Sequence, residues 1–111
     1  MTPDDAYAAL EAHLLARPGI GRALKRGFAE GGLMTSGKLF AVQHKGDQLL
    51  LKLPAGRVEA LIATGHGALF AAGKGGGRVM KEWVLVQPEA ADEWLGLATE
   101  AEIFVRRLAT S

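Results

Sequence analysis

The stretch KLFAVQHKGDQLLLKL at residues 38–53 constrains the fold of this 111-residue chain more than any other part of its sequence. Residues 38–44 and 48–53 are rich in residues that favour strands, and Gly46-Asp47 between them is a good two-residue turn. Strands joined by so short a connection pair antiparallel, because a parallel pair needs a crossover of a dozen or more residues. The sequence therefore predicts an antiparallel sheet built around this hairpin.

Three helices are predicted from capping residues and helical spacing. The first begins at Thr2 and Pro3, a capping residue followed by proline at the first helical position, and stops at the Arg-Pro-Gly of residues 17–19. The second begins at Pro54 and ends at Gly65. The third follows the last proline of the chain, and its apolar residues recur along one side. This predicted buried stripe consists of Trp94, Leu97, Ala98, Ala101, Phe104, Val105 and Leu108.

Further strands are predicted on both sides of the second helix. Residues 20–37 contain a strand, or a strand after a turn, and the strands at residues 68–72 and 79–86 flank a glycine-rich tract. The predicted architecture is a two-layer α+β fold in which an antiparallel sheet has helices packed on it, in the order α-β-β-β-α-β-β-α. Residues 1–111 are expected to form one domain.

The charge and composition of the chain argue against several classes of function. Lysine and arginine total 13 against 12 acidic residues, so the net charge of +1 gives no general attraction to nucleic acid or to a membrane surface. The chain has no cysteine, which excludes disulfides and thiolate chemistry. The first residues lack the basic and apolar regions of a signal peptide, and no apolar run reaches membrane-spanning length. We therefore expect a soluble, cytoplasmic protein whose partners are neither nucleic acid nor membrane.

Short motifs between Phe28 and Val105 resemble the TfoX N-terminal domain family, also described as TfoX/Sxy-like. They include GKLFA at residues 37–41, LKL at 51–53, MKEWV at 80–84 and WLGLATEAEIFV near the C-terminus. Where the family often has Met-Phe-Gly, this chain has Gly-Phe-Ala around Phe28. The resemblance implies a two-layer fold similar to secretion-chaperone-like domains, and free-standing members have no assigned activity. Longer members look like regulators of natural competence with a second, C-terminal domain, so a competence role is not carried over.

The tract FAAGKGGGRV, which starts at Phe70, combines glycines with two cations. Glycine amides with cations beside them are the ingredients of a phosphate-binding loop. However, the tract leads into a strand, whereas P-loops and dinucleotide fingerprints lead into helices. A flexible hairpin connection is therefore favoured. The alternative function is weak binding of nucleic acid or nucleotide phosphate through this loop and nearby basic residues. The loop residues concerned are Lys74, Gly75, Gly76, Gly77 and Arg78, and a wider basic patch would add Arg22, Lys25 and Arg26.

No residue pattern in the sequence indicates catalysis, a cofactor or a metal ion. His13, His44 and His66 lie on different predicted elements and lack metal-ligand spacing. Lys81 and Glu82 are neighbours in a strand, so their side chains point to opposite faces and cannot act together on one substrate. No serine or threonine lies in a nucleophile motif. We expect a non-enzymatic protein without a cofactor.

The predicted strands carry apolar side chains on both faces, although a two-layer fold needs them on one face only. The residues predicted on the open face are Leu50, Trp83 and Leu85. In the strand before them, Phe40 and Val42 are predicted to oppose Leu39 and Ala41. Because an exposed apolar patch often marks an interaction surface, we expect a homodimer or an unknown protein partner on this face. The leading hypothesis is a small protein-interaction or regulatory domain.

Overall fold

The fold is that of a computed structural model, which describes residues 2–23, 31–72 and 77–110. Its helices are α1 (Pro3–Leu15), α2 (Ala55–Ala63) and α3 (Trp94–Thr110), with a 3-10 helix (Pro88–Glu93) directly before α3. Its strands are β1 (Ile20–Arg22), β2 (Leu33–Thr35), β3 (Lys38–His44), β4 (Gln48–Lys52), β5 (Gly67–Ala72) and β6 (Arg78–Val86). The predicted α+β class and the order of helices and strands are confirmed, with two short strands in the segment between α1 and the hairpin.

The strands described here form one sheet in which every neighbouring pair is antiparallel. The order across the sheet is β1-β2-β3-β4-β6-β5. The helices pack on one face of this sheet. Buried leucines and valines of β4 and β6 meet buried side chains of all three helices there, in a single apolar core. The antiparallel sheet with helices packed on it is therefore confirmed.

The first helix forms as its sequence predicts. The hydroxyl of Thr2 accepts a hydrogen bond of 3.1 Å from the backbone N–H of Asp5, and Pro3 occupies the first helical position. Leu10 and Leu14 are completely buried in the core. The chain then turns through Gly19, whose φ of 83° is a conformation that glycine adopts without strain. Local capping and a single buried side thus account for this helix.

The β3–β4 connection is longer than the predicted turn. His44 pairs with Gln48, so the loop contains three residues, and the prediction of a two-residue turn at Gly46-Asp47 is wrong. Lys45 and Gly46 both have positive φ, at 52° and 81°. A three-residue hairpin loop commonly needs a left-handed residue of this kind. The resulting register places Val42 opposite Leu50.

A bulge in β3 changes which of its side chains enter the core. Leu39 pairs with Met34 and Ala41 pairs with Leu33, which leaves Phe40 as the extra residue. Phe40 and Ala41 are consequently both completely buried in the core. The predicted strict alternation, with Phe40 on the same side as Val42, is therefore wrong, because a bulge shifts the two-residue period by one.

The helix predicted after β6 differs from the observed structure at both of its ends. The turn from Pro88 to Glu93 is a 3-10 helix with a kink at Ala90, and the α-helix begins only at Trp94. Trp94 is completely buried, and its indole N–H donates a 3.2 Å hydrogen bond to the carbonyl of Gln87. Leu108, predicted in the buried stripe, is 47% exposed. No helix in the described ranges is both long enough and apolar enough to span a bilayer.

Candidate functional site

The glycine-rich tract is only partly within the described residues. Lys74, Gly75 and Gly76 lie outside them, as do Lys25 and Arg26 of the wider basic patch. Gly77 and Arg78 are described and exposed at the start of β6. Arg22 is exposed on β1, where its Nε lies 3.1 Å from a carboxylate oxygen of Glu11. The favoured hairpin connection and the alternative of a phosphate-binding loop both stay predictions.

The structure separates the three residues that were predicted on an open apolar face. Leu50 is completely buried within the chain, so its assignment to an exposed interaction patch is wrong. Leu85, which lies on β6 and pairs with Leu50, is half-buried. Trp83 is also half-buried, two pairs further along the same two strands, opposite Lys52. Of the predicted patch, the part that a partner can reach is centred on Trp83.

A register shift in the β5–β6 pair accompanies a ring contact across the face that carries Leu50. Leu69 pairs with Val84, but the next residue, Phe70, pairs with Met80, so three residues of β6 have no partner on β5. The rings of Phe70 and His44 meet edge to face, with centroids 5.7 Å apart. Since β4 and β6 lie between the strands of these two rings, the contact spans the face that carries Leu50. The chain therefore covers this part of its own sheet.

Burial at this contact affects the titration of His44. Desolvation lowers the pKa of the His44 imidazole below its usual value, and the neighbouring positive charge of Lys45 lowers it further. The neutral ring is therefore favoured where it packs on Phe70. His44 acts here as a packing residue of the sheet face.

Trp83 lies at the junction of two surface grooves. The first, with a volume of about 350 Å³, runs between the sheet and the C-terminal end of α3; its lining residues are Lys38, Leu39, Lys52, Trp83, Val105, Leu108 and Ala109. The second, of about 470 Å³, follows β6; its lining residues are Lys52, Ala55, Trp83 and residues 78–82. We call these two grooves together the Trp83 surface. Lys52 and Trp83 belong to both grooves and therefore connect them.

The Trp83 surface combines an apolar floor with cations at its rim. The ammonium group of Lys52 lies 5.6 Å from the centroid of the Trp83 ring and 3.6 Å from a carboxylate oxygen of Glu82. Lys38, Arg78 and Lys81 are exposed and form no ion pair with any residue in the described parts of the chain. Glu82 is the acidic residue among the described lining residues. The surface is therefore apolar in its centre and positively charged around it.

The other histidines named from the sequence lie exposed on the surface, apart from one another. His66 lies with Nδ1 3.2 Å from the hydroxyl of Thr64 and with Nε2 3.9 Å from a carboxylate oxygen of Glu93. This resembles a hydroxyl–imidazole–carboxylate array, but the Thr64 hydroxyl donates to the carbonyl of Leu61 at the end of α2, and all three side chains are exposed. His13 is exposed on α1. Within residues 2–23, 31–72 and 77–110, no cluster of three or more candidate ligands could hold a metal ion.

Sequence reasoning missed a buried carboxylate on α3. Glu102 is only 3% exposed, and one of its oxygens accepts a 2.9 Å hydrogen bond from the hydroxyl of Thr35. The guanidinium of Arg106, one turn later, donates to the same carboxylate at 3.0 Å, and Arg17 approaches it to 3.9 Å. These contacts join α3 to β2 and to the segment after α1. The spacing of Glu102 and Arg106 was visible in the sequence, but Thr35 was not an evident partner.

Comparison of the chain with protein-family models, with curated proteins and with solved structures finds no match.

Proposed function

We propose that the chain is a small, non-enzymatic protein-interaction domain of regulatory type, similar to the TfoX N-terminal domain, and that its partner binds at the Trp83 surface. The observation that carries the proposal is the position of Trp83, half-buried where two grooves meet. Tryptophan is enriched among the residues that dominate binding energy at protein interfaces. A tryptophan already held against Lys52 also loses little conformational freedom when a partner covers it.

Affinity capture with the purified domain tests the proposal. Wild-type protein and the Trp83→Ala variant are used as baits in native lysate, with Leu95→Ala as the matched control. Leu95 is 37% exposed near the start of α3, and the groove contacts only the last residues of that helix. We expect a protein that is retained by the wild type and by Leu95→Ala but lost with Trp83→Ala. Equal capture by all three baits would contradict the proposal, provided that circular dichroism shows each variant to be folded.

A second candidate function is weak binding of nucleotide phosphate by the glycine loop. It is favoured by Arg78, which is exposed next to the loop and has no acidic partner within the described ranges. A titration with inorganic phosphate, followed by the amide signals of Gly77 and Arg78, tests this function. Saturable shifts at millimolar phosphate that disappear in Arg78→Ala would support it. The absence of any shift would rule it out.

A further inference from the structure

We infer that the segment bound by the Trp83 surface is an acidic peptide that also carries aliphatic side chains. This inference rests on the proposed function and specifies the chemistry of the partner. It is argued from the charges at the rim of the surface, from their arrangement along the strands and from the composition of the floor.

The rim charges are strongly unbalanced. Lys38 lines the first groove, Arg78 and Lys81 line the second, and Lys52 lines both. The single acid among the described lining residues, Glu82, lies 3.6 Å from Lys52 and offsets that charge alone. This contrasts with the chain as a whole, where 13 basic residues nearly balance 12 acidic ones. A local excess of cations on a nearly neutral protein selects an acidic partner and excludes a basic one.

The register of the strands sets these cations around Trp83. Lys38 begins β3 and Lys52 ends β4, so these two cations lie at the same end of an antiparallel pair, and Trp83 lies opposite Lys52 on the neighbouring β6. Beyond Trp83, β6 continues back to Lys81 and Arg78. At a rise of about 3.3 Å per residue, the stretch from Trp83 to Arg78 is roughly 17 Å long. That length accommodates about five residues of an extended peptide, which can alternate acidic and apolar side chains.

The floor of the surface favours a peptide over a single-stranded nucleic acid, the other polymer that basic and aromatic residues commonly bind. Single-strand binding sites rely on successive aromatic side chains on which the bases stack. Among the described lining residues, Trp83 is the only aromatic one. The other apolar side chains are not aromatic, and they include Leu39, Met80, Val105 and Leu108. Aliphatic side chains of a peptide pack well on such a floor, whereas the floor provides no platform on which successive bases could stack. An acidic peptide with aliphatic side chains therefore fits both the charge and the floor.

A titration followed by nuclear magnetic resonance tests this inference on the wild-type domain. The chain has two tryptophans, so its indole N–H region contains a Trp83 signal and a Trp94 signal, which Trp83→Phe assigns. Trp94 is buried and serves as the internal reference. The probe is a synthetic peptide of about seven residues that alternates glutamate with leucine. Three comparison ligands share its length: a lysine–leucine peptide, a glutamate–serine peptide and an oligothymidylate.

We expect the glutamate–leucine peptide to shift the Trp83 signal saturably and to leave the Trp94 signal in place. The comparison ligands should bind at least about fivefold more weakly. Lys81→Glu should weaken binding by a similar factor, whereas Lys45→Glu, the same charge change in the β3–β4 loop, should leave it unchanged. Tighter binding of oligothymidylate would overturn the inference in favour of single-stranded nucleic acid. Equal binding of the lysine–leucine peptide, or no shift with any ligand, would overturn it as well.

The same variants separate this inference from the proposed function. Suppose that affinity capture depends on Trp83 while the captured protein binds Lys81→Glu and Lys38→Glu as well as it binds the wild type. In that case the inference of an acidic partner is wrong, and the proposed docking site at the Trp83 surface is retained. If capture is lost in these charge variants and retained by Lys45→Glu, the acidic chemistry is supported.

Discussion

Glu102 is the residue whose environment differs most from what its type would suggest. Acidic side chains are almost never fully buried unless they are paired, and this one is 3% exposed on a helix that otherwise buries apolar groups. Its hydrogen bonds from Thr35 and Arg106 satisfy the carboxylate. Thr35 is itself buried, and the bond to Glu102 supplies its hydroxyl with an acceptor. The pair fixes the position of α3 along β2, and α3 in turn forms one wall of the Trp83 surface.

Replacing Glu102 with alanine should therefore be costly. The Glu102→Ala variant leaves the buried Thr35 hydroxyl without its acceptor, and we expect the free energy of unfolding to fall by about 2 kcal/mol. Glu100→Ala is the matched control on the same helix. It removes an exposed ion pair with Arg57, for which a loss below about 1 kcal/mol is expected. Urea unfolding measures both values, and an equal loss in the two variants would contradict this assignment.

His44 provides a prediction on pH. Because burial lowers the pKa of the folded imidazole below its unfolded value of about 6.5, the unfolded chain takes up a proton at this residue before the folded chain does. The contribution of His44 to the free energy of unfolding is fully retained above about pH 6.5 and falls as the pH drops through that value. We expect His44→Gln to lose less stability than the wild type between about pH 7.5 and pH 5.5. A His44 titration midpoint above 6.5 in the folded protein would show that the sign is wrong.

At the scale of elements, the β5–β6 pair decides what the sheet presents to a partner. In its inner half, residues 67–69 of β5 pair with residues 84–86 of β6 and continue the sheet. In its outer half, residues 70–72 pair with residues 78–80, after the register shift between Leu69 and Phe70. Gly67 begins the inner half, opposite Val86, and a Cβ atom built there would lie 2.6 Å from Cγ2 of Val84. This close approach lets α2 and β5 pack together, since Leu61 of α2 lies on the same side.

Adding one methyl group at Gly67 should disturb this packing. Since the valine side chain is stiff, the contact in Gly67→Ala is relieved only if the strand moves, and we expect a loss of about 1–3 kcal/mol. Gly56→Ala is the matched control. A Cβ at Gly56 meets nothing within 4 Å, and alanine in a helix is more favourable than glycine by about 0.5–1 kcal/mol. The two variants should therefore shift the thermal unfolding midpoint in opposite directions, and a shift in the same direction would contradict the packing argument.

At the scale of the whole molecule, the exposed apolar residues bear on self-association. Leu50, which first suggested a dimer, is buried, but Leu69 on β5 is 53% exposed. Leu69 lies on the last strand in the sheet order, where a second copy can approach. We therefore expect a homodimer at micromolar concentration, with a mass twice the 11.7 kDa of the chain in light scattering. Leu69→Ser should return it to the monomer mass and Leu95→Ser should not. A monomer mass for the wild type would disprove this expectation.

The sequence by itself determined the elements and much of the core. Capping at Thr2 and Pro3 positions α1, and alternation in β4 places Leu49 and Leu51 inward; each follows from neighbours along the chain. These features depend on a local period that is repeated over several residues, so they can be predicted from one amino-acid sequence. The fold class follows from the same signals, because a short hairpin between helices requires an antiparallel sheet.

Only the tertiary structure decided the features on which the candidate site depends. Phe40 faces the core because β2 and β3 pair with a bulge, and Leu50 is buried on the face across which Phe70 of β5 reaches His44 of β3. Thr35 and Glu102 are 67 positions apart in sequence and meet as buried partners. Trp83 was singled out from the sequence, but its cationic surroundings became visible only once strand pairing placed Lys52 opposite it. Each of these contacts joins residues on different elements, and local periodicity carries no information on which elements become neighbours.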